Sequence, residues 1–316
     1  MRRQDIQAIL AAAGSGPKHH LGQNFMIDAF VLSAIVDAAE ISHDDIVLEV
    51  GPGPGNLTNL LAGRAAAVLA VDVDRAMLQA ASRHWADLQN VQWLAADILA
   101  KKHEINPVVI DSLRQIRAAR GKPGAKIKLV ANLPYNVASP LVAELLILHC
   151  RQRTAPAPTQ FQIDTLVFTV QWEVGRRMAA AAGEADYGAL GALIQLLAEV
   201  EILRPIAAGC FWPPPKIRSA LVRIRPDETR MARIPDALRL QRVITHLFTH
   251  RRQNLANTLR HGFKEIPFSK IAGAVTAAGM DLKSRAETLE PQKLLRLVDI
   301  ISAAENSPAD ADKLMS

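Results

Sequence analysis

The segment Asn132-Leu133-Pro134-Tyr135 combines residue types that can hold a flat ring by its amino group. The side-chain oxygen of Asn132 and the carbonyl of Leu133 can each accept one amino proton, and Pro134 fixes the turn that presents that carbonyl. The ring of Tyr135 can stack on the bound ring. Two such acceptors favour a more pyramidal nitrogen, whose lone pair can then attack an electrophilic carbon. An ordinary turn is the alternative, since Asn and Pro are common in turns.

A glycine-rich segment, Gly51-Pro52-Gly53-Pro54-Gly55, lies about eighty residues earlier and directly follows an apolar run. Glycine permits positive φ and lets a ligand approach the main chain. The spacing differs from the Gly-x-Gly-x-x-Gly fingerprint, in which a pyrophosphate sits at the N-terminus of the next helix. A nucleoside cofactor without a pyrophosphate, such as S-adenosylmethionine, fits the segment better. The two segments together suggest methyl transfer to a nitrogen of a nucleobase.

The elements that must position these residues alternate between strand and helix patterns. Apolar runs predict strands at 46–50, 67–71, 91–96 and 128–131, and polar or glycine residues end them at Gly51, Asp72, Asp97 and Asn132. This alternation predicts a mostly parallel sheet that binds ligands at the carboxyl ends of its strands. Asp72 is placed to accept hydrogen bonds from both ribose hydroxyls and Asp97 from the adenine amino group. Turn glycines or capping aspartates would explain each residue singly, but their joint occurrence favours a cofactor site.

The chain divides into four parts. We expect a flexible N-terminal arm at 1–17, a catalytic domain at 18–226, a helical domain for RNA or ribosome binding at 227–304, and a disordered tail at 305–316. The division follows from the end of the strand-helix alternation after Pro226 and from the polar composition of the last residues.

Further elements follow from local patterns. Asp28 predicts the N-cap of a helix, and the apolar segments 165–170, 192–206 and 219–224 predict additional strands or strand-rich stretches. The basic insertion 101–128 predicts a surface excursion that contains one helix at 109–119. Periodic apolar residues predict helices through 235–304.

Composition restricts the class of protein. Hydrophobic residues make up 49% of the 316 residues, enough for a sizeable buried core. Residues 227–304 hold 13 Lys and Arg against 8 Asp and Glu in a chain of net charge +6, which favours a polyanionic partner such as RNA. Solvated helix faces would give the same balance. No apolar run approaches the ~20 residues that span a bilayer, so we expect no membrane segment and a cytoplasmic protein. The two cysteines and nine histidines lack ligand spacing, and we expect no metal.

Six segments, in order along the chain, carry a resemblance to a known family. They are His20-Leu21-Gly22-Gln23-Asn24-Phe25, Glu49–Gly55, Asn132–Asn136, Phe211-Trp212-Pro213-Pro214-Pro215-Lys216, Phe248–Arg252 and Arg285-Ala286-Glu287. Over roughly residues 17–300 the chain resembles the small-subunit (16S) rRNA adenine N6-dimethyltransferases of the KsgA/RsmA type. Six ordered motifs make this match far more specific than any one of them.

The resemblance implies a fold, a reaction and a partner. The fold is the α/β, Rossmann-like class I S-adenosylmethionine-dependent methyltransferase fold with a small all-helical C-terminal domain. The reaction is the dimethylation of N6 on two adjacent adenosines in the 3′-terminal hairpin of 16S rRNA during ribosome biogenesis, with S-adenosylmethionine as co-substrate. The partner is 16S rRNA within the pre-30S small ribosomal subunit, on which the helical domain would help to seat the enzyme. We expect a monomer.

The resemblance also assigns roles to residues. It implies cofactor contacts for Asn24, Met26, Gly51, Asp72, Asp97 and Asn132. Phe211 would form a second aromatic wall opposite Tyr135 around a flipped adenine. Four basic residues are candidates for RNA backbone contact, because they flank the expected cleft or lie in the basic domain: Lys216, Arg218, Arg251 and Arg252. Glu49 could bind either the loop backbone or the amino end of the cofactor.

The chain departs from the family pattern at three places. Asp72 stands where the family usually has Glu, the segment before Asn132 is lengthened by the basic insertion, and Gly191 stands where a serine is common. Two other functions share some of the features. One is an antibiotic-resistance methylase that acts on large-subunit rRNA, against which the Phe211–Lys216 segment, the length and Arg285-Ala286-Glu287 argue. The other is an assembly factor whose main role is binding the pre-ribosomal subunit.

Overall fold

The computed structural model describes residues 3–12, 14, 16–18, 23–122, 125–155, 161–249 and 252–305. The chain forms two compact units, one made of Met1–Arg176 and Leu197–Glu228, the other of Arg177–Leu196 and Thr229–Ser316. The end of the strand-helix alternation predicts a single boundary after residue 226. The structure differs in one respect, because residues 177–196 cluster with the C-terminal unit.

Seven strands of the first unit form its central sheet. In chain order the strands of the protein are β1 (Phe25–Met26), β2 (Ile46–Val50), β3 (Ala67–Asp72), β4 (Val91–Ala95), β5 (Leu99–Lys101), β6 (Glu104–Ile105), β7 (Ile127–Asn132), β8 (Ile163–Gln171), β9 (Ala198–Ile206), β10 (Phe211–Trp212) and β11 (Ser219–Pro226). The large sheet has the order β4-β3-β2-β7-β8-β11-β9. Its first five strands are parallel, and β11 pairs antiparallel with β8 and β9.

Helices cover this sheet and build the second unit. They are α1 (Arg3–Ala12), α2 (Ala29–Ala38), α3 (Asn56–Ala62), α4 (Arg75–His84), α5 (Pro107–Arg120), α6 (Ala138–Gln152), α7 (Trp172–Ala179), α8 (Ala189–Leu197), α9 (Glu228–Met231), α10 (Ala237–Thr249), α11 (Leu255–Gly262), α12 (Phe268–Ala277) and α13 (Pro291–Glu305). Asp28 caps α2 as predicted, accepting a hydrogen bond of 3.0 Å from the Val31 amide. All five residues of β2 are buried, as expected for a parallel strand covered on both faces.

Three predicted segments differ from the structure. Residues 3–12 form helix α1, where a flexible arm is expected, because Ile6, Ile9 and Leu10 lie on one face and are buried in an apolar cluster. The helix of the basic insertion, α5, packs on β2 and β3 with an apolar face and is therefore part of the core layer. Residues 192–197 are helical, since a continuous apolar run fits a buried helix as well as a strand.

The second unit is helical, in agreement with the periodicity of 235–304. Tyr187 is fully buried in it, and its ring meets that of Phe248 edge-on at 5.7 Å between centroids. Glu305, expected to start a disordered tail, ends α13 and forms ion pairs with Arg239 and Arg242. The rest of the expected tail, 306–316, lies outside the described residues. Within the part of the chain that the structure describes, no helix is long and apolar enough to cross a bilayer.

Candidate active site

A cavity of about 470 Å³ opens at the carboxyl ends of β2, β3, β4 and β7. Four predicted strand-end residues line it together: Gly51, Asp72, Asp97 and Asn132. Asn24 and the turn 133–135 complete the part of the lining that the sequence predicts. The volume lies in the range of small-molecule sites, about 300–1,000 Å³, and can hold a nucleoside together with part of a second ligand.

The glycine loop has the backbone conformation for which glycine is needed. Gly51, Gly53 and Gly55 have φ angles of 71°, 54° and 87°. A Cβ on Gly55 would lie 2.5 Å from Nε1 of Trp85, the group that donates a 3.0 Å hydrogen bond to the Pro54 carbonyl. The loop is therefore held against α4 with no room for a side chain at its last glycine.

The loop also touches the turn that follows β7. A Cβ on Gly51 would lie 3.1 Å from Cγ of Pro134. The two motifs, far apart in sequence, therefore lie so close together in the cavity lining that a side chain at position 51 would not fit between them. A ligand on the glycine loop and a ring held by the turn would be immediate neighbours.

Asn132 is fixed by two elements of the first unit. Its Nδ2 donates a hydrogen bond of 2.9 Å to the Asn24 carbonyl, and its Oδ1 accepts one from the Thr169 hydroxyl on β8. These partners define which end of the amide is oxygen. Because an amide oxygen has two lone pairs, Oδ1 can still accept a second hydrogen bond.

Tyr135 is half-buried at the cavity wall and anchored by its hydroxyl. The hydroxyl lies 3.1 Å from Oγ of Ser219, a fully buried residue of β11. Burial raises the pKa of Tyr135 above its ordinary value, so the phenol stays neutral. The contact holds the ring on the lining of the cavity, as a stacking surface requires.

The two aspartates at the strand ends differ in environment. Burial raises the pKa of Asp72 to about 6. Backbone amides oppose this rise, among them that of Asp74, which donates a hydrogen bond of 2.9 Å to Oδ1 of Asp72. Asp97 is exposed, and its Oδ1 accepts a 3.0 Å hydrogen bond from the Leu99 amide. Near pH 7 Asp72 is mostly ionised and can accept hydrogen bonds from hydroxyl donors.

A family sequence model described as "Ribosomal RNA adenine dimethylase" matches residues 15–302. The chain belongs to this family. It is 32% identical over 285 residues to ribosomal RNA small subunit methyltransferase A of Alkaliphilus metalliredigens, covering 90% of this chain and 92% of that protein. It is 32% identical over 302 residues to the protein of the same name from Synechococcus sp. WH7803, covering 94% and 99%.

Solved structures show the same fold. A dimethyladenosine transferase from Plasmodium falciparum superposes with a TM-score of 0.69 at 22% identity, over 89% of this chain and 98% of that one. The 23S rRNA methyltransferase ErmE superposes with a TM-score of 0.58 at 24% identity, over 88% and 100%. The predicted Rossmann-like methyltransferase fold with C-terminal helices is thereby confirmed. The family assignment makes the chain an rRNA adenine dimethyltransferase, whose family and fold support S-adenosylmethionine as co-substrate.

Glu49 of this dimethylase lies beneath the glycine loop and away from the main cavity. It lines a separate pocket of about 20 Å³ with Met26 and Asn56, and it is 1% exposed. The geometry gives its Oε2 no hydrogen bond from any described residue. Burial raises its pKa to about 8; the nearby hydroxyl of Thr58 opposes this rise, and the charge of Asp72 adds to it. Glu49 forms no hydrogen bond with a loop amide among the described residues, and it is absent from the lining of the main cavity. Its small pocket shares Gly51 and Asn132 with that cavity, so a contact with the amino end of the cofactor stays a prediction.

Two predicted site residues of the dimethylase are core residues in this structure. Met26 and Phe211 pair across β1 and β10, and both side chains are buried in the same apolar cluster. Phe211 is 2% exposed and does not line the cavity. The expected wall opposite Tyr135 is therefore not formed by Phe211 in this conformation, because its ring is used for packing.

Three of the four predicted RNA-contacting residues are described, and all three are exposed and lie outside the cavity lining. Lys216 and Arg218 precede β11, and the guanidinium of Arg218 stacks 4.2 Å from the ring centroid of Trp172. Arg252 is exposed in the second unit. Arg251 lies outside the described residues. Among the described residues, no group of three or more His, Cys, Asp or Glu side chains could hold a metal ion.

Sequence reasoning missed the residues that support the site. Thr169 and Ser219 hold Asn132 and Tyr135, and Gln23 lines the cavity while donating a 3.0 Å hydrogen bond to Asp74. Burial would raise the pKa of Asp74, but hydrogen bonds from Lys18 and Gln23 outweigh it and lower the pKa. Only Gln23 lay within a motif that the sequence singled out. The other supports come from strands distant in sequence, with no local spacing to identify them.

Proposed function

We propose that this enzyme dimethylates N6 of two adjacent adenosines in the 3′-terminal hairpin of 16S rRNA, during assembly of the small ribosomal subunit. The observation that carries the proposal is that Gly51 and Pro134 lie close together in the lining of one cavity, with no room for a side chain at position 51. The glycine loop, suited to a nucleoside, and the turn that can hold an amino group are thereby neighbours. The small-subunit target is supported by the names of its relatives, ribosomal RNA small subunit methyltransferase A. The proposal includes action as a monomer in the cytoplasm, where subunits assemble.

The residues at the loop end of the cavity fit S-adenosylmethionine. Gly51 and Gly53 offer bare backbone, Asp72 offers a mostly ionised carboxylate for the ribose hydroxyls, and Asp97 offers Oδ2 for the adenine amino group. Asn24 completes this end beside Asn132. When bound, the cofactor supplies an electrophilic methyl group on a positively charged sulfur.

The residues at the other end would prepare the acceptor nitrogen. Oδ1 of Asn132, oriented by Thr169, and the carbonyl of Leu133 would each accept one N6 proton. Tyr135, held by Ser219, would stack on the flipped adenine. Positioning and electrostatics carry the catalysis, because the methylated nitrogen becomes acidic and releases its proton to water.

The remaining assignments concern RNA outside the cavity. Lys216, Arg218, Arg251 and Arg252 remain proposed phosphate contacts, and the helical unit remains the proposed ribosome-binding part. Phe211 would serve as a second wall only if the flipped adenine displaced β10 from its apolar cluster. A side-chain contact between Met26 and the cofactor would need a similar movement, since that side chain is buried with that of Phe211, whereas a main-chain contact would not.

Methyl transfer to small subunits that lack the modification tests this proposal. The purified chain is incubated with labelled S-adenosylmethionine and such particles, and primer extension maps the modified bases. Two adjacent adenosines in the 3′-terminal hairpin should acquire label and stop the reverse transcriptase. Label on large-subunit rRNA, or none despite cofactor binding, would reject the proposal.

An Asn132→Ala variant separates chemistry from assembly. It should abolish transfer while leaving binding to the particle intact, because Asn132 lies inside the cavity. Full rescue of growth by this variant in a strain without the enzyme would make subunit binding the main function.

A further inference from the structure

We infer that the β5–β6 hairpin holds the RNA backbone beside the target adenosine, through Lys101 and Lys102 at its turn. The inference rests on the proposed function and extends it, since it names a part of the site that binds RNA phosphate. The sequence had singled out this basic insertion without giving it a role.

The hairpin forms part of the cavity itself. Residues 99–102 line the cavity together with Asp97 and Tyr135. Among the described residues of the lining, Lys101 and Lys102 are the cationic ones, while Asp72 and Asp97 are acidic. A cationic segment is thus set against a cavity whose ligand-binding strand ends are negative.

The hairpin is fixed at both ends. At its base, Asn106 donates hydrogen bonds of 2.9 Å from its backbone to the Ile98 carbonyl and from Nδ2 to the Asp97 carbonyl. At its turn, Nδ1 of His103 lies 3.1 Å from Oε1 of Glu144, a buried residue of α6. The two lysines are therefore presented by an anchored backbone, next to a residue that the fold holds in place.

The charges of these lysines are available to a ligand. Lys102 is exposed and forms no ion pair with any described residue. Lys101 has a side chain 82% exposed and pairs only with the exposed Glu104, at 3.4 Å. Such an exposed ion pair contributes little to stability, so Lys101 can readily exchange Glu104 for another anion. By contrast, Nζ of Lys18 forms an ion pair of 2.9 Å with Oδ1 of the buried Asp74.

The chemistry of the substrate identifies the anion. A base flipped into a cavity leaves the phosphates on either side of its ribose outside, so cations beside the cavity meet the RNA backbone. Lysine binds phosphate as a point charge, and each such contact adds to the salt dependence of binding. The other anion within reach is the carboxylate of the cofactor, and the experiment separates the two.

The test compares the full-length enzyme with a Lys101→Ala/Lys102→Ala variant. Lys122→Ala is the matched control, because Lys122 has a side chain 72% exposed, pairs with the exposed Asp44 at 2.7 Å and lies outside the cavity lining. The probe is an RNA hairpin with the sequence of the 3′ end of 16S rRNA. Its affinity is measured by fluorescence anisotropy at several salt concentrations. KM and kcat are measured by methyl transfer to small subunits that lack the modification.

We expect the double variant to bind the RNA roughly three- to tenfold more weakly, with kcat and the Kd for S-adenosylmethionine unchanged. The slope of log affinity against log salt should fall by about 1.4, since each lysine contributes about 0.7 on single-stranded RNA. A Lys101→Arg/Lys102→Arg variant should restore both values, and Lys122→Ala should match the wild type.

Three results would overturn the inference. They are an unchanged salt slope and RNA affinity in the double variant, an equal loss in Lys122→Ala, or a loss confined to cofactor affinity. Failure of the proposed function has a different appearance, because the wild type would then transfer no methyl group to small subunits that lack the modification. The anisotropy data would still decide the role of the hairpin in that case, since they require no turnover.

Discussion

Replacing Glu49 by Gln should stabilise the enzyme at neutral pH. Glu49 is 1% exposed, its Oε2 has no hydrogen-bond partner among the described residues, and its pKa is raised from 4.5 to about 8 by burial. The folded protein therefore keeps a proton that the unfolded chain releases above about pH 4.5. Gln occupies the same volume, and it carries no charge in either state.

The size of the effect follows from linkage. Because the folded pKa is the higher one, stability is lost as pH rises from about 4.5 toward about 8, by about 1.4 kcal/mol per pH unit. At pH 7 this cost amounts to about 3 kcal/mol, and below pH 4.5 it vanishes. Glu49→Gln should remove the cost, so its gain should be near zero at pH 4.5 and rise steadily to pH 7.

Denaturant unfolding of both proteins at half-unit steps between pH 4.5 and 7.5 measures this difference. Glu40→Gln is the control, and it should change the free energy of unfolding in the opposite direction at neutral pH. The reason is that a hydrogen bond and the charge of Arg225 lower the pKa of the exposed Glu40. A gain from Glu49→Gln that does not change with pH would refute the reasoning. So would a loss of stability at pH 7, because it would mean that the folded state stabilises the ionised carboxylate.

Three further predictions concern the site. Thr169→Val should lower the free energy of unfolding by about 1–3 kcal/mol and lower kcat without weakening cofactor binding, because it leaves Oδ1 of Asn132 unanchored. Thr169→Ser, measured in the same transfer and melting assays, should retain the stability and the kcat of the wild type. Asp72 has a pKa of about 6, so cofactor affinity, measured by calorimetry, should fall up to tenfold per pH unit below pH 6, and Asp72→Asn should bind weakly at every pH. Gly55→Ala should lower the free energy of unfolding, measured by thermal melts, by about 2–4 kcal/mol, because it adds a side chain at φ 87° and displaces the Trp85 indole. An unchanged melting temperature would contradict the loop geometry.

The strand ends could be predicted from sequence because the signal is local. Each parallel strand is an apolar run closed by a residue of different character, and parallel strands bring their carboxyl ends to one edge. The sequence alone therefore predicts that Gly51, Asp72, Asp97 and Asn132 lie at one edge of the sheet, and all four line the cavity. The helix predicted at 109–119 is present as α5, but the packing of α5 and of α1 could not be predicted, for the converse reason. Their buried faces, which include Ile6 and Leu113, pack on α4 and on β2 and β3, and these partners are remote in sequence.

The supports of the site could not be predicted, because their partners are remote in sequence. Thr169 lies 37 residues from Asn132, and Ser219 lies 84 residues from Tyr135. Phe211 was misplaced for a related reason. A motif gives the residue type at a position, whereas the pairing of β10 with β1 decides whether the ring faces a cavity or the core.

The geometry of the acceptor site depends on the sheet more than on the turn that carries it. A turn of Asn, Leu, Pro and Tyr alone would leave an amide and a ring free to rotate. Here the amide of Asn132 is held by Thr169 on the neighbouring strand, and the ring of Tyr135 by Ser219 on the next one. Catalysis by positioning needs this rigidity, because N6 must meet the methyl group within a few tenths of an ångström. The motif therefore supplies the hydrogen-bonding groups, and β8 and β11 supply their orientation.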